Sequence, residues 1–482
     1  YTQLRWDDMY AQNGMSSSGA VYAMDDRVER IAQGQFVADF RTTLADDVSL
    51  RYGLRMEYSS SRNYKQMVDL MGATHLNNID YYLMDDDSFS HSLSNNLRDA
   101  DLTVREGDRF SYDYDLRRRS VLAYVALEYT SSRWQVEADV QAGRVAMLRY
   151  GYFEKELYSG VGSYGRSAKL KFAPYVVKAR VGYSFSPKHY VDVGLLASDV
   201  TPEVENLFLN AQYNNRVVDN PEAEHHRGAE LNYRYSSDRS QMVFSAYLFS
   251  KTNLRHTMRL YDDLSALYCD VDVEGMGELF YGIETAGKFR LNNNLELSLS
   301  ASAGRYIYSE NPTITHYDDR DGRVVSRSVS YMGDCYIGGA PQLSVMAQLT
   351  YFTYRGWVLS CSGQGVAMRY VDPSVIRRTE RVAQQASLSP EIYHRFISQG
   401  RLSNAITMDM SVSRWFDLAK GRLSLTLSVR NLLGNGGVEY GGYEQSRIRN
   451  YQSGANRVYL PMDDMITYAY GRTYYLVISF KM

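Results

Sequence analysis

The segment Arg422-Leu423-Ser424-Leu425-Thr426-Leu427-Ser428-Val429-Arg430 alternates apolar and polar residues without a break. Leu or Val occupies every odd position, and Ser, Thr or Arg occupies every even position. Successive side chains of a β-strand point to opposite faces, whereas a helix would scatter these apolar residues around its circumference. The segment therefore predicts a β-strand with one apolar and one polar face.

The same alternation recurs along the chain and predicts about sixteen strands, most of them about ten residues long, which suits a tilted strand that crosses a bilayer. The predicted strands lie near residues 19–31, 35–44, 48–57, 120–129, 134–148, 172–184, 189–198, 226–236, 241–251, 277–290, 295–308, 341–351, 357–370, 404–416, 422–430 and 471–481.

The predicted strands are joined alternately by short turns and by long polar segments. Leu291-Asn292-Asn293-Asn294 and Lys420-Gly421 are examples of the turns. The long segments are residues 58–119, 149–171, 199–225, 309–340, 371–403 and 431–470. Short turns at one end and long loops at the other are typical of outer-membrane barrels. The fold class predicted is therefore an all-β, transmembrane antiparallel β-barrel with long extracellular loops.

Composition agrees with this fold class. The 482 residues carry 53 Lys and Arg against 56 Asp and Glu, a net charge of -3, which argues against nucleic acid as a partner. No apolar run reaches the length of about 18 residues that a membrane helix needs, and the mean hydropathy is -0.41. Tyrosine is abundant, at 43 residues, and many tyrosines fall at predicted strand ends, where their polar tips suit a membrane interface.

Motifs for catalysis or metal binding are missing from the sequence. It contains no GxSxG, HExxH or phosphate-binding loop, so we predict neither an enzyme nor a cofactor. The three cysteines provide no disulfide framework or metal knuckle. The acidic stretches Asp85-Asp86-Asp87 and Asp318-Asp319-Arg320-Asp321-Gly322 are interpreted as solvated loops. His225 and His226 are adjacent and should point to opposite faces of a strand, which disfavours a shared metal ion.

Two segments near the C-terminus carry a resemblance to a known family. Val429-Arg430-Asn431-Leu432-Leu433-Gly434-Asn435 resembles the motif of the penultimate strand in TonB-dependent outer-membrane receptors. Gly441-Gly442-Tyr443-Glu444-Gln445 is similar to the ends of Bacteroidetes members of that family. The last strand resembles the assembly signal of outer-membrane barrels, although it ends in Met rather than Phe. Its apolar face consists of Tyr474, Leu476, Ile478, Phe480 and Met482.

The resemblance implies a 22-stranded barrel closed by an N-terminal plug. No plug-like segment and no TonB-box candidate precede the first predicted strand, so residues 1–482 are expected to be a single outer-membrane β-barrel domain, the C-terminal portion of a larger receptor. A complete sixteen-stranded porin is the rival interpretation.

Import of a nutrient across the outer membrane of a Gram-negative bacterium is the function that the resemblance implies. The expected partners are outer-membrane lipid, the TonB complex through a missing N-terminal part, and surface lipoproteins or other outer-membrane subunits. A passive porin-like channel or a structural barrel subunit of an outer-membrane complex is the alternative, and a soluble carbohydrate-binding protein is a third.

Loop aromatic and cationic residues are the candidate ligand contacts, because such side chains can stack on a ligand and donate hydrogen bonds to it. The alternative is that these residues pack against one another or against a plug. The candidates are Tyr81, Tyr82, Tyr112, Tyr114, Tyr440, Tyr443 and Arg447.

Overall fold

The computed structural model describes residues 4–80, 94–99, 101, 103–386, 389–453 and 456–481. Within these ranges the chain forms one 19-stranded antiparallel sheet and four separate two-stranded ribbons. The candidate residues Tyr81, Tyr82 and Met482 lie outside the described residues.

In chain order, the strands are β1 (Met24–Ala45), β2 (Val48–Asp69), β3 (Leu76–Asn77), β4 (Thr103–Val104), β5 (Arg109–Thr130), β6 (Trp134–Gly151), β7 (Gly165–Arg166), β8 (Leu170–Phe172), β9 (Tyr175–Ser186), β10 (His189–Val200), β11 (Glu224–Ser236), β12 (Ser240–Asp262), β13 (Leu267–Arg290), β14 (Leu295–Tyr308), β15 (Thr313–Asp318), β16 (Val324–Val329), β17 (Leu343–Phe352), β18 (Trp357–Ala367), β19 (Arg369–Tyr370), β20 (Arg401–Leu402), β21 (Ala405–Leu418), β22 (Gly421–Arg430), β23 (Glu439–Tyr443), β24 (Ile448–Ser453), β25 (Asn456–Pro461), β26 (Met465–Tyr468) and β27 (Thr473–Lys481). The α-helices are α1 (Trp6–Met15), α2 (Glu380–Ala386) and α3 (Pro390–Ile397), and single 3-10 turns span Gly160–Gly162 and Val204–Leu207. None of the helices in the described part of the chain has the length and apolarity needed to span a membrane.

The long strands follow one another in the sheet in the order β1-β2-β5-β6-β9-β10-β11-β12-β13-β14-β17-β18-β21-β22-β27. Tight turns join them at one end of the sheet, as predicted, and the long segments lie at the other end, called here the loop end. The short strands β15 and β16 extend the sheet from the loop end of β13, and β7 and β8 extend it from β6. Within the described ranges, β1 pairs with β2 alone and β27 with β22 alone.

The strand register places the apolar residues on one common face of the sheet. Val140 of β6 lies opposite Val125 of β5 and Val177 of β9. Leu427 of β22 lies opposite Val412 of β21 and Leu476 of β27. A slip of one residue at any of these pairs would move a whole strand's apolar residues to the other side. We call the two sides the apolar face and the polar face.

Two predictions about the first strands were wrong. Residues 24–31 and 35–44 belong to one continuous strand, β1, which begins five residues later than the predicted strand 19–31, and Gly34 pairs within it opposite Tyr58 rather than making a turn. The predicted loop 58–119 is also shorter, because β2 extends to Asp69 and β5 begins at Arg109. The β2 extension is mostly polar on both faces and so lacks the alternation by which a strand is recognised in sequence. On β5, Phe110, Tyr112, Tyr114 and Leu116 do alternate with polar residues, a strand signal that the sequence interpretation missed.

Loop segments cover the polar face at the loop end. Leu116 of β5 and Val145 of β6 pack against Leu207, Phe208 and neighbouring residues of the segment between β10 and β11. Helix α1 lies at the same end of the sheet. The buried amide of Asn13 donates to the carbonyl oxygens of Leu70, 2.9 Å away, and Tyr22, 2.7 Å away. The long segments therefore form a packed layer at the loop end.

Aromatic rings cluster at the turn end of the apolar face. The rings of Trp134 and Tyr183 lie 4.7 Å apart, and those of Tyr183 and Phe185 lie 4.9 Å apart. The guanidinium of Arg414 lies 4.9 Å from the ring of Trp357. Aromatic residues are enriched where an apolar surface meets a polar interface, so this belt agrees with the predicted girdle.

The register makes a testable prediction for two neighbouring residues of β6. Arginine at position 140 should lower the free energy of unfolding in lipid by about 2–4 kcal/mol, because Val140 lies on the apolar face. Gln141→Arg, on the polar face, should have little effect. The measurement is guanidinium unfolding of the full-length protein in phospholipid vesicles, followed by tryptophan fluorescence. Equal losses in the two variants would contradict the assignment of the faces.

Candidate functional site

A groove of 570 Å³ lies on the polar face between β9 and β12. Two glycines, Gly194 of β10 and Gly228 of β11, leave backbone uncovered in its floor. A Cβ atom at Gly194 would lie 3.0 Å from the Glu230 side chain, and one at Gly228 would lie 3.0 Å from the ring of Phe249. Glycine within a strand marks a site where another group can approach the backbone closely. We call this site the polar-face groove.

Charged side chains line one side of the polar-face groove. Arg180 donates from Nη2 to Oε1 of Glu230 over 2.8 Å, and its Nε lies 3.9 Å from Oδ2 of Asp192. Asp192 is fully buried and also accepts a hydrogen bond of 2.9 Å from the amide of Asn232. The Arg180 and Glu230 side chains remain 44% and 42% exposed, so each can still reach a ligand. Lys178 and Glu137 complete this charged side.

Aromatic side chains form the other side of the groove. The Tyr247 hydroxyl lies 2.6 Å from that of Tyr306. Phe249 packs next to Phe280 with 6.2 Å between ring centroids, and Phe280 packs against Tyr306 at 5.8 Å. The groove therefore combines both signs of charge with aromatic surface, an arrangement that can orient a small polar molecule.

Two buried cations hold the packed loop layer at the loop end of the sheet. Lys155, 2% exposed, donates to Oδ1 of Asn95 over 2.8 Å and lies over the ring of Tyr213. Burial lowers the pKa of Lys155 to about 7. Arg149 donates to Oδ1 of Asn215 over 2.6 Å, and burial lowers its pKa to about 10. Each cation therefore ties a loop segment into the layer through its hydrogen bonds.

Asp270, on the part of β13 nearest the loops, is a buried carboxyl in the same layer. Burial raises its pKa to about 7, while the nearby Arg259 guanidinium opposes the rise and Asp319 adds to it. Its Oδ1 accepts a hydrogen bond of 3.2 Å from the amide of Asn210. This contact joins the carboxyl to the segment that covers the polar face.

A buried ion pair joins two other long segments. Arg378, just before α2, and Glu444, just after β23, have side chains that are 1% and 0% exposed. Arg378 Nη2 donates to Oε1 of Glu444 over 2.8 Å. The neighbouring Arg377 donates to Oδ1 of Asp464 over 3.0 Å. Removing one partner of such a pair leaves the other charge buried and uncompensated, so these contacts fix the relative position of the two segments.

The structure places the predicted contacts Tyr112 and Tyr114 together on the polar face of β5, with 6.0 Å between ring centroids. Tyr114 is only 7% exposed, lies under the guanidinium of Arg149, and has a pKa raised by burial. Tyr112 is half-buried. Tyr114 thus packs against the covering loop in this conformation, and the ligand-contact role of both residues remains a prediction.

The predicted contacts near the C-terminus lie on or next to two of the two-stranded ribbons, since Arg447 directly precedes β24. Tyr440 and Tyr443 belong to β23 and are 73% and 52% exposed. Arg447 lies 5.0 Å from the ring of Tyr261 and donates from Nη2 to Asp263 over 2.9 Å. These residues and the tyrosines of β5 therefore contact different neighbours.

The predicted assembly signal lies on β27, where each apolar residue faces an apolar residue of β22. Tyr474, Leu476, Ile478 and Phe480 lie opposite Val429, Leu427, Leu425 and Leu423, respectively. Their role in assembly remains a prediction.

The adjacent residues His225 and His226 contact different carboxylates. His225 lies 2.8 Å from Asp199, and His226 lies 3.5 Å from Glu224. Across the described residues, no three His, Cys, Asp or Glu side chains are grouped so that they could hold a metal ion.

The sequence interpretation missed the polar-face groove. Its charged residues Arg180 and Glu230 fall at the polar positions of predicted strands, where they resemble any other alternating residue. A signal was present in Gly194 and Gly228, because glycine is unfavourable inside a strand unless the backbone must be left open.

No protein-family profile matches the chain, and no curated protein matches it. Solved structures do match over 94–95% of its length. The chain is similar to the copper transporter OprC (13% identity, TM-score 0.59, 57% of that chain) and to the siderophore receptor PiuA from Acinetobacter baumannii (11%, 0.55, 56%). It is also similar to the ferric citrate transporter FecA (11%, 0.53, 54%).

These solved proteins are TonB-dependent outer-membrane receptors. At such low identity the similarity shows the fold alone, a large antiparallel sheet of the kind that forms the barrels of these receptors. The chain spans little more than half the length of each solved structure.

Asp270 provides a prediction about pH. Since its folded-state pKa is about 7, above the ordinary 3.8, its neutral form stabilises the loop layer fully below pH 3.8, and this contribution is lost as pH rises through 7. Asp270→Asn keeps a neutral amide and should remove this part of the pH dependence. Hydrogen exchange of residues 204–218 at pH 5 and pH 8, corrected for intrinsic exchange, measures it. The same pH response in both proteins would contradict the assignment.

Proposed function

We propose that the chain is the C-terminal barrel portion of a TonB-dependent outer-membrane receptor of the Bacteroidetes type, which imports a nutrient with energy from TonB. The observation that carries the proposal is the polar-face groove, set in the wall of a sheet whose fold matches that of outer-membrane transporters. In those barrels the polar face lines the lumen. A solute that moves through the lumen would therefore meet the groove.

The groove suggests what kind of solute is bound. Its 570 Å³ falls within the range of about 300–1,000 Å³ that small-molecule sites occupy. The guanidinium of Arg180 can donate hydrogen bonds to a ligand, and the carboxylate of Glu230 can accept them. The rings of Tyr247 and Phe249 provide aromatic surface. The proposed substrate is a small polar molecule that carries an anionic or hydroxyl group next to an apolar part.

Energy coupling requires a second part of the receptor. In this proposal a plug that lies outside residues 1–482 fills the lumen of a 22-stranded barrel, and the TonB complex acts on that plug. The polar face carries polar groups that such a plug can contact, including the Lys288–Glu296 ion pair, 2.8 Å apart, and Asp39, which accepts a hydrogen bond of 2.6 Å from the hydroxyl of Tyr124. Surface lipoproteins are proposed as partners at the loop end.

The packed loop layer favours a second candidate function. The Arg378–Glu444 and Arg377–Asp464 pairs lock long segments together, as would suit a rigid surface for other subunits. The chain would then be a structural or passive porin-like barrel in an outer-membrane complex.

Uptake measurements distinguish these functions. A strain that lacks the full-length protein should lose growth on one nutrient source, and a strain that lacks TonB should show the same loss. In the complemented strain, Arg180→Ala should reduce uptake of that nutrient at limiting concentration by about ten-fold or more, since a hydrogen bond to a charged group contributes about 1.5–3 kcal/mol.

The matched control is Arg41→Ala, which removes another arginine of the polar face that pairs with a carboxylate but lies outside the groove. Its uptake should stay within about two-fold of the wild type. Uptake that does not depend on TonB, or equal effects of the two variants, would contradict the proposal. The structural alternative would be supported if the strain that lacks the protein lost an outer-membrane complex that normally co-purifies with it but showed no nutrient defect.

A further inference from the structure

The lining of the polar-face groove carries equal numbers of opposite charges. Its charged residues are two carboxylates, Glu137 and Glu230, and two cations, Lys178 and Arg180. The lining therefore has no net charge, and its field attracts neither anions nor cations as a class. A ligand that itself carries both signs is the kind that such a lining complements.

The ion pair of Arg180 and Glu230 lies across the floor of the groove. The register places Gly194 of β10 directly opposite Arg180 on one side and directly opposite Glu230 on the other. Because glycine has no side chain, the two long side chains meet over it, with 2.8 Å between Nη2 and Oε1. A ligand that rests on the floor of the groove therefore meets both charged groups at once.

Each member of this pair has a second contact that holds it in place. Nε of Arg180 lies 3.9 Å from the carboxylate of Asp192, and the amide of Asn232 donates to Oε1 of Glu230 over 3.3 Å. Asp192 and Asn232 both lie one step nearer to the turns than the pair does. The two side chains therefore stay anchored from the turn side if the contact between them opens.

Opening of the pair discriminates between ligands by their charge. A ligand with a carboxylate alone would take Arg180 and leave the Glu230 carboxylate without its cation. A ligand with an ammonium group alone would leave Arg180 without its anion. In both cases the lost ion pair offsets the new contact, whereas a ligand with both groups replaces both halves of the pair. The pair therefore favours zwitterions over singly charged molecules.

The geometry of the pair also limits the distance between the ligand's charges. Since the two groups are in contact, they fit an ammonium and a carboxylate that are close together, as they are when both are attached to one carbon atom. Aromatic surface adjoins the pair, because Tyr247 lies directly opposite Glu230 and Phe249 lies directly opposite Gly228. The groove therefore offers an apolar surface next to its zwitterion site.

We propose that the Arg180–Glu230 pair opens to bind an apolar α-amino acid. Arg180 takes the carboxylate, because its planar guanidinium donates two parallel hydrogen bonds to carboxylate oxygens. Glu230 takes the ammonium group, and the apolar side chain packs on Phe249 and Tyr247. The proposal rests on the proposed function, since it names the substrate class of the same groove.

The first test compares four probes by isothermal titration calorimetry with the purified full-length protein. The probes are L-leucine, N-acetyl-L-leucine, which is only anionic, L-leucinamide, which is only cationic, and ε-aminocaproate, an isomer of leucine whose charges are far apart. L-leucine should bind about ten-fold or more tightly than each of the others, because only it replaces both halves of the pair. Comparable affinity for any other probe, or no binding of L-leucine, would overturn the proposal.

The second test removes each half of the pair in turn. R180Q and E230Q should each weaken binding of L-leucine by about ten-fold or more. R180Q should at the same time bind L-leucinamide more tightly than the wild type does, because Glu230 is then free of its cation. E230Q should likewise bind N-acetyl-L-leucine more tightly. Variants that weaken all probes alike would show a merely structural role and contradict the assignment.

The matched controls are R41Q and E128Q, which open an ion pair of the polar face that lies outside the groove. Both should bind L-leucine within about two-fold of the wild type. Heat-dependent migration in electrophoresis verifies that each variant is folded.

Failure of this proposal is distinguishable from failure of the proposed function. TonB-dependent uptake of a nutrient by a receptor that binds no L-leucine would overturn the amino-acid assignment alone. Selective binding of L-leucine by a protein whose uptake does not depend on TonB would support the assignment and contradict the proposed function.

Discussion

The structure depends on the antiparallel hydrogen-bond register between consecutive strands. Backbone N–H and C=O groups inside a membrane must be paired within the protein, and a ladder between neighbouring strands achieves this. The same ladder decides which side chains meet. Because the register aligns Val125, Val140 and Val177 across three strands, it produces a continuous apolar face. The polar-face groove takes its position from this alignment.

Towards the loop end the strands remain hydrogen-bonded to one another, but they no longer present an apolar face. There β2, β5 and β13 serve as a frame on which loop segments pack, and buried charges hold those segments in place. Lys155 and Arg149 satisfy loop carbonyl and amide groups, and Arg378 joins two segments through Glu444. Such groups are costly to bury unless they are fully paired, so the layer has a specific arrangement. Asp270, whose pKa lies near 7, makes part of that layer sensitive to pH near neutrality.

The apolar half of the fold could be predicted from the sequence because each strand carries its own signal. Apolar and polar residues alternate from Leu423 to Val429, and only a strand places all of these apolar residues on one face. The structure pairs this segment with the alternating residues of β27. The break expected near Gly34 was wrong, because a glycine inside a ladder and a glycine in a turn look alike in sequence. The extension of β5 down to Arg109 was missed although Phe110, Tyr112, Tyr114 and Leu116 alternate with polar residues there, because these residues lie on the face opposite to that of the apolar residues from 121 to 129.

The site residues were harder to predict because their environment comes from distant segments. Tyr114 has the type of side chain that can contact a ligand, yet loop residues near Phe208 cover it. Lys155 has no local feature that distinguishes it from a solvated lysine, since its burial depends on residues from several segments. Gly194 and Gly228 did carry a local signal, but a groove follows only when the register brings them to adjacent strands.

The central claim is that one face of the sheet meets lipid and the other meets water, and spin labels along β5 test it most directly. Labels at single cysteines from 113 to 129 in the full-length protein, reconstituted in vesicles, would be exposed to oxygen and to a water-soluble nickel complex. The account predicts oxygen access at odd positions from 121 to 129, nickel access at even positions, and no lipid exposure below residue 119. Nickel access on both faces throughout, or no alternation, would contradict it.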